Sequence, residues 1–368
     1  MKHVFEYFTN VKFNNRYVDP AFLASYLVER YPDNVVEVGN SLEGRPIYKF
    51  SIGTGKTKVL AWSQMHGNES TATLAMLDLL ESLRNDTVRE ERLWRAVSLD
   101  FIFMLNPDGS ARWTRRNAAG IDINRDFLMA ATPEMQILKR IVADGNYDYA
   151  LNLHDQRTIF TTDGHSPATL SFLAPSQDAE RTLTPRRKQS MAVIANAWLQ
   201  LKDALPKRIG RYTDEFYPTA TGDNLMLRGL TNILVEGGHS PDDYHRVQTR
   251  RYYTMALYHL LVSMGLLHGR DYGYENYFDI PENRSKHVDL IYRNVKLNTD
   301  FPCVVDVAVQ YREELEEGAD EISFVPIVTE VGDLGAKKGW KEVDCTGLRF
   351  VSEKTYPKID APVNFRIE

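Results

Sequence analysis

Apolar and polar positions along the chain form blocks that predict buried strands alternating with helices. Nearly continuous apolar runs, typical of strands covered on both faces, occupy residues 59–62, 97–105, 149–153 and 232–235. Apolar residues at helical spacing occupy residues 20–31, 70–83, 184–204 and 244–267, and a further helix is predicted to start at Thr132-Pro133. Two shorter strands, 35–38 and 47–52, are predicted around a turn that carries Gly and Pro. This order predicts an α/β fold with a mixed, mostly parallel sheet and helices on both faces.

The pattern changes after Gly269. From residue 288 to residue 368, short β-rich runs alternate with turns, and no run has apolar residues at helical spacing. A segment of this length is an ordinary size for a domain. We therefore predict two domains, an α/β domain at residues 1–269 and a small all-β domain at residues 270–368.

Composition and charge argue against several classes of function. The 368 residues are 43% apolar and 26% charged, with a net charge of -6. Nucleic acids and membrane surfaces favour a concentrated basic face, so neither is an expected partner. The chain shows no signal-peptide pattern and no apolar run of the roughly 20 residues that span a membrane, so a cytoplasmic location is expected. Cys303 and Cys345 are not spaced as a metal knuckle and are predicted to be free thiols, with a disulfide between them as the alternative.

Side chains that can bind a metal ion or transfer a proton follow three of the predicted strands. His66 and Glu69 follow the strand at 59–62, His154 follows the next, and Glu236 follows the last. Open α/β sheets bind ligands at the carboxyl ends of their strands, where these side chains are expected to meet. Two imidazoles and one carboxylate form a catalytic zinc set that leaves a fourth position for water. Zinc lowers the pKa of that water and polarises a carbonyl, and Glu236 beside the metal would then act as general base and acid.

At these residues the sequence resembles the zinc metallocarboxypeptidases of the carboxypeptidase A type. The resemblance covers residues 10–265 and depends on motifs that occur in the family's order: His-x-x-Glu at 66–69, Asn-Pro-Asp-Gly at 106–109, Gly-Ile-Asp-Ile-Asn-Arg at 120–125, His154, and Leu-Val-Glu-Gly-Gly at 234–238. The resemblance implies one zinc ion per chain, held by His66, Glu69 and His154. It also implies a zinc-dependent hydrolase that cleaves a C-terminal peptide bond.

The resemblance further implies which residues bind the substrate. Asn124 and Arg125 would hold the terminal carboxylate, for which a guanidinium fork is physically suited. Tyr217 would cover the bound C-terminal residue, and Tyr212 is the alternative for this role. The expected partner is a peptide or amino-acid conjugate with a free C-terminal carboxylate.

Two further residues would support the chemistry. Arg115 would stabilise the oxyanion of the tetrahedral intermediate, and Asp122 would orient His66 on the metal. Structural interpretations stay open: Arg125 could pair with a helix terminus, and Glu236 could cap the Gly-Gly turn. Since every matched motif precedes residue 270, the β domain is expected to cover a surface or restrict access rather than to supply catalytic groups.

Two rival functions remain. An N-acyl amino-acid deacylase of the aspartoacylase type uses a similar His-x-x-Glu and a later histidine, but the Asn-Pro-Asp-Gly turn and the Gly-Gly after Glu236 favour the peptidase. A non-catalytic binding protein on the same fold would be expected to lose a ligand or the base, and none is lost. Gly67-Asn68 stands where many family members carry an arginine, so the outer subsites are expected to differ. Side-chain specificity, the role of the β domain and the oligomeric state have no readable signature in the sequence.

Overall fold

The computed structural model of the protein describes residues 5–284, 286–298 and 303–368. The helices of these residues are α1 Pro20–Arg30, α2 Thr71–Arg84, α3 Thr87–Ala96, α4 Pro107–Ala111, α5 Pro133–Gly145, α6 Pro185–Leu201, α7 Thr221–Leu227 and α8 Val247–Leu267. The strands are β1 Val35–Asn40, β2 Pro46–Ile52, β3 Thr57–Trp62, β4 Val97–Phe103, β5 Tyr149–Asp155, β6 Ile159–Phe160, β7 Leu170–Leu173, β8 Ile209–Arg211, β9 Thr231–Gly237, β10 Lys286–Lys296, β11 Val304–Glu314, β12 Ser323–Gly332, β13 Lys338–Asp344, β14 Phe350–Val351 and β15 Arg366–Ile367.

The larger sheet has eight strands in the order β1-β2-β4-β3-β5-β9-β7-β8. Its centre is parallel, because β3 pairs in parallel with β4 and β5, and β5 pairs in parallel with β9. Antiparallel pairing occurs toward both edges, at β1-β2, β2-β4 and β7-β9. The predicted mixed, mostly parallel sheet is confirmed. Its topology brings the carboxyl ends of β3, β5 and β9 to one edge.

Helices cover both faces of this sheet, as predicted. On one face, Leu77 of α2, Ile194 of α6 and Leu257 of α8 belong to a core that includes Val59 and Leu151 of the sheet. On the other face, a second core joins α5 and α7 to the opposite side chains of β3 and β4; it includes Leu60, Trp62, Ile102, Leu138 and Leu225. Because side chains of a strand alternate between faces, Val59 and Leu60 lie in different cores.

Helix ends follow the signals in the sequence. The Thr132 hydroxyl accepts a hydrogen bond from the backbone N–H of Met135, and Pro133 occupies the first turn, where its missing N–H has no helical partner. The sequence pattern missed α3, which buries only Leu93 and Trp94 and whose other residues are mostly polar or charged. A helix with so narrow an apolar stripe has no clear period in its sequence.

A second, smaller sheet occupies the C-terminal part of the chain. Its order is β12-β11-β10-β13, and β6 pairs with β10 through Lys286 opposite Phe160 and His287 opposite Ile159. It has a separate core that includes Val307, Val309, Val328, Phe350 and Phe365. Within 286–298 and 303–368 no helix is present, which agrees with the β-rich pattern. The boundary between residues 269 and 270 stays a prediction, and Tyr277 and Ile280 beyond it pack into the larger core.

Two smaller expectations can be compared with the structure. Among the described residues, none of the helices is long and apolar enough to cross a membrane. Cys303 and Cys345 are free thiols, as predicted.

Candidate active site

The loop after β3 places two of the predicted metal ligands at the edge of the sheet. Within it, the side-chain amide of Gln64 donates to the carbonyl of Gly67 (2.9 Å) and to the hydroxyl of Ser110 (2.9 Å). Gly67 is required by close packing, since a Cβ there would lie 2.0 Å from the carbonyl carbon of Gly109. The His-x-x-Glu loop and the Asn-Pro-Asp-Gly turn are therefore built against each other.

His66, Glu69 and His154 converge in a buried cluster. His66 Nδ1 lies 2.9 Å from one carboxylate oxygen of Glu69, and His154 Nδ1 lies 2.9 Å from the other. The two Nδ1 atoms are 3.2 Å apart. Burial opposes ionisation of Glu69, but the two imidazoles outweigh it and hold the pKa of this carboxyl well below its usual range. The potential ligand atoms all lie within 4.8 Å of one another, so the three residues are able to hold a metal ion, and their donor set is that of a catalytic zinc.

Asp122 lies behind His66. Its Oδ1 is 3.1 Å from His66 Nε2 and also accepts a hydrogen bond from the backbone N–H of Asn124 (3.0 Å). Although its partial burial acts in the other direction, His66 and Arg115 hold the pKa of Asp122 below its usual range. A carboxylate at Nε2 leaves Nδ1 of His66 to face the other two ligands.

Arg115 stands at the open side of the three ligands. Its Nη1 lies 3.2 Å from His66 Nδ1 and 3.4 Å from Glu69 Oε1, and its Nη2 lies 2.9 Å from Asp122 Oδ2. The side chain is 40% exposed, so the guanidinium can reach a molecule that enters the site.

Glu236 lies on β9 directly opposite His154 on β5. The hydroxyl of Tyr212 donates to its Oε2 over 3.0 Å. Burial, with the nearby Glu69 carboxylate as a second cause, raises the pKa of Glu236 to about 8. A carboxyl group with such a pKa can accept and return a proton near neutral pH.

The three remaining predicted residues lie beside one another. The guanidinium of Arg125 stacks over the ring of Tyr217, 4.4 Å from its centroid, and Arg125 Nη1 donates to the carbonyl of Asn124 (3.1 Å). The Asn124 side-chain oxygen accepts a hydrogen bond from the backbone N–H of Thr221 (3.2 Å). A cavity of about 360 Å³ connects them to the metal cluster; its walls include His66, Glu69, Arg115, Asn124, Arg125, His154, Tyr212, Tyr217 and Glu236. The structure thus brings eight of the nine predicted site residues to one cavity, with Asp122 directly behind it.

Comparison with known proteins agrees with this geometry. Residues 23–187 match the model of the zinc carboxypeptidase family. The matched residues include His66, Glu69 and His154, the cluster that is able to hold a metal ion. The position of this cluster within the match to a zinc family favours zinc as its metal ion. The resemblance found in the sequence motifs is confirmed.

Solved structures share the fold of the carboxypeptidase domain. A metallo-carboxypeptidase from Burkholderia cenocepacia has a TM-score of 0.53 at 19% identity, covering 67% of this chain and 69% of that chain. Carboxypeptidase A from Helicoverpa armigera has a TM-score of 0.51 at 18% identity, covering 66% of this chain and 71% of that chain. An uncharacterised protein from Zymomonas mobilis is 26% identical over 155 residues, or 38% of this chain. The match spans only 41% of the length of that curated relative.

Sequence reasoning missed four charged residues in the wall of this cavity, Asp155, Arg157, Glu215 and Asp223. Asp223 is 7% exposed and accepts a hydrogen bond from the backbone N–H of Tyr217 (3.1 Å), and burial raises its pKa to about 6. Arg157 donates to the carbonyl of Asn68 (3.2 Å), inside the His-x-x-Glu loop. The one signal for Arg157 was its position three residues after His154. That position follows the end of a strand, but it does not indicate a chemical role.

Proposed function

We propose that the protein is a carboxypeptidase that uses zinc to remove the C-terminal residue of a peptide or amino-acid conjugate. One observation carries the proposal: His66, Glu69 and His154 share a cavity with the carboxyl group of Glu236 and with Arg125, a cation suited to a terminal carboxylate. A metal cluster, a proton acceptor and a carboxylate-binding group in one cavity are the parts that exopeptidase chemistry requires.

His66, Glu69 and His154 would hold one zinc ion per chain. When bound, zinc lowers the pKa of a water molecule and polarises the carbonyl that is attacked. Asp122 would keep His66 in the orientation that exposes Nδ1 to the metal. These residues fit the ion because their ligand atoms are buried, close together and of the expected chemical kind.

Asn124 and Arg125 would bind the free carboxylate of the substrate, with Tyr217 covering it. Tyr217 is 53% exposed, whereas Tyr212 is partly buried and already donates to Glu236, so Tyr217 has the greater freedom to move. The charged fork of Arg125 would place the last amide bond at the metal cluster. Binding through a charge found only at the chain terminus would make the enzyme an exopeptidase.

Glu236 would accept a proton from the attacking water and deliver it to the nitrogen of the leaving amine. The amide C–N bond then breaks, and the products are a shortened peptide and a free amino acid. Arg115, 3.4 Å from Glu69 and 40% exposed, would stabilise the negative charge that develops on the carbonyl oxygen.

The experiment compares a peptide with a free C-terminus, the same peptide with an amidated C-terminus, and an N-acetyl amino acid, at full zinc occupancy. Loss of the hydrogen bonds from the charged fork should reduce kcat/KM for the amide by roughly 10-fold to 100-fold. Equal rates on both peptides would contradict the exopeptidase assignment, and turnover of the N-acetyl amino acid alone would favour a deacylase of the aspartoacylase type. No turnover with zinc bound would favour a binding protein on this fold.

Metal content gives an independent check. Elemental analysis should find one zinc per chain in the purified protein and substantially less in His66→Ala, because one of three protein ligands is lost. Equal zinc in both would reject the ligand set. A cytoplasmic location remains part of the proposal, and cell fractionation would test it.

A further inference from the structure

A glutamate of the smaller sheet reaches the wall of the carboxypeptidase site. Glu313 lies on β11, and its side chain is only 11% exposed. Its Oε1 accepts a hydrogen bond from Arg16 Nη1 (2.6 Å), and its Oε2 accepts bonds from Arg157 Nη1 (2.7 Å) and Trp113 Nε1 (2.9 Å). Burial acts to raise the pKa of Glu313, but the arginines outweigh it and lower the pKa to about 2. The carboxylate is therefore ionised and held from three sides.

Arg157 is oriented by this carboxylate. It follows the end of β5, where His154 lies, and its Nη1 also donates to the carbonyl of Asn68 (3.2 Å). Two acceptors on one nitrogen restrict the plane of the guanidinium, which is itself rigid. The side chain is nevertheless 31% exposed and lines the same cavity as the metal ligands. Arg157 thus presents a fixed cation to whatever occupies the cavity.

Besides this cavity, Arg125 and Arg157 each line a second space, and the two spaces differ. Arg125 and Tyr217 also line a cleft of about 600 Å³ that includes Asp122. Arg157 and Thr158 also line a gap of about 60 Å³ beneath the smaller sheet. If the terminal carboxylate lies at Arg125 and the scissile bond at the metal cluster, Arg157 is the arginine of the cavity wall that remains for the acyl side, since Arg115 lies beside the metal ligands themselves.

We propose that Arg157 binds a backbone carbonyl of the substrate on the acyl side of the scissile bond, and that Glu313 positions Arg157 for this contact. This inference rests on the proposed carboxypeptidase function. It names peptides as the preferred substrate class, because an N-acyl amino acid with a simple aliphatic acyl group has no second carbonyl for Arg157. It also gives the smaller sheet a role in substrate binding that does not require it to touch the substrate.

The test measures kcat and KM for an N-acyl amino acid and for a blocked tripeptide that end in the same residue. The zinc-loaded full chain should favour the tripeptide, and Arg157→Gln should raise KM for the tripeptide by roughly tenfold, the effect of one hydrogen bond from a charged donor. The same variant should leave both constants for the N-acyl amino acid within about twofold, since this substrate makes no contact with residue 157. Glu313→Gln should raise the tripeptide KM in the same way. Glu314→Gln is the matched control, because Glu314 lies next on β11 and pairs with the exposed Arg312.

A double variant decides whether Glu313 acts through Arg157. If it does, Glu313→Gln added to Arg157→Gln should cause no further rise in the tripeptide KM. Should Glu313→Gln fail to fold, Glu313→Asp retains the buried charge and withdraws it from Arg157 by one methylene group, and the same comparison applies.

The results that would overturn the inference differ from those that would overturn the function. Equal losses on both substrates in Arg157→Gln would show that Arg157 has no contact on the acyl side. A normal tripeptide KM in both Glu313 variants would remove Glu313 from the positioning role. Failure of the zinc-loaded wild-type protein to cleave any free-ended substrate would instead reject the carboxypeptidase function itself.

Discussion

Glu236 and Glu313 are two partly buried glutamates with opposite acid–base behaviour. Glu236 lies one residue before the end of β9, beside the metal cluster, where burial and the neighbouring Glu69 raise its pKa to about 8. Glu313 lies on β11 between Arg16 and Arg157, which against the effect of burial lower its pKa to about 2. The residue type is the same, and only the surroundings differ. A buried carboxylate that faces another carboxylate can accept a proton near neutral pH, whereas one that faces arginines remains an ionised anchor.

Linkage gives the two residues opposite effects on stability. The pKa of Glu313 is lower in the folded protein than in the unfolded chain, so its stabilisation is present above pH 4.5 and is lost as the pH falls toward about 2. The pKa of Glu236 is higher in the folded metal-free protein, so the carboxyl destabilises the fold increasingly as the pH rises from 4.5 to about 8. The ionised carboxylate of Glu236 therefore lowers the free energy of unfolding, whereas the ionised carboxylate of Glu313 raises it.

Glu236→Gln should produce the largest change. It retains size and hydrogen bonding but removes the basic group, so kcat should fall by the ~10²–10⁴ typical of lost general acid–base catalysis, with zinc and substrate binding retained. The metal-free variant should also unfold at a higher urea concentration than the metal-free wild type at pH 8. Near-normal kcat with the zinc site filled would show that Glu236 is not the base.

Glu313→Gln should have the next largest effect, and this effect is on the free energy of unfolding. Removing the charge leaves Arg16 and Arg157 without their shared partner, a change that typically costs about 3–5 kcal/mol in a buried pair. Urea unfolding should show this loss at pH 7 and a smaller one near pH 3, because below pH 4.5 the unfolded chain takes up a proton at Glu313 that the folded protein still excludes. In contrast, Glu314→Gln removes an exposed pair and should cost roughly 0–1 kcal/mol. A pH-independent loss would mean that packing, not charge, explains the effect.

Tyr212→Phe should have the smallest effect, and it tests the surroundings of Glu236 directly. The hydroxyl of Tyr212 donates to the ionised carboxylate and so lowers its pKa; its removal should raise that pKa. The acidic limb of the kcat/KM profile should move upward by about one pH unit, the value of one hydrogen bond to a charged group. Tyr272→Phe, which alters a tyrosine 67% exposed, is the control. An unchanged acidic limb would show that this limb does not report the ionisation of Glu236.

Much of the fold could be predicted because its signals are local. Thr132 and Pro133 lie within one helical turn of the residues that they cap, and the apolar runs of β3, β4, β5 and β9 reflect burial of the same short segments on both faces. The polar helix α3 lacked such a signal, and so did the short strand β6, which has two residues and exists only through its pairing with β10.

The amino-acid sequence by itself determined the chemical groups of the site. His66, Glu69, His154 and Glu236 follow strand-like runs, and parallel strands bring such positions to one edge, so these residues were predictable before any distance was known. Tertiary structure alone decided the contacts of Arg157 with Glu313 and of Tyr212 with Glu236. Arg157 and Glu313 are separated by more than 150 positions, and no local period relates two residues on different sheets. Their meeting depends on how β6 and β10 join the sheets, because side-chain ionisation follows the charges nearby in space rather than those nearby in the chain.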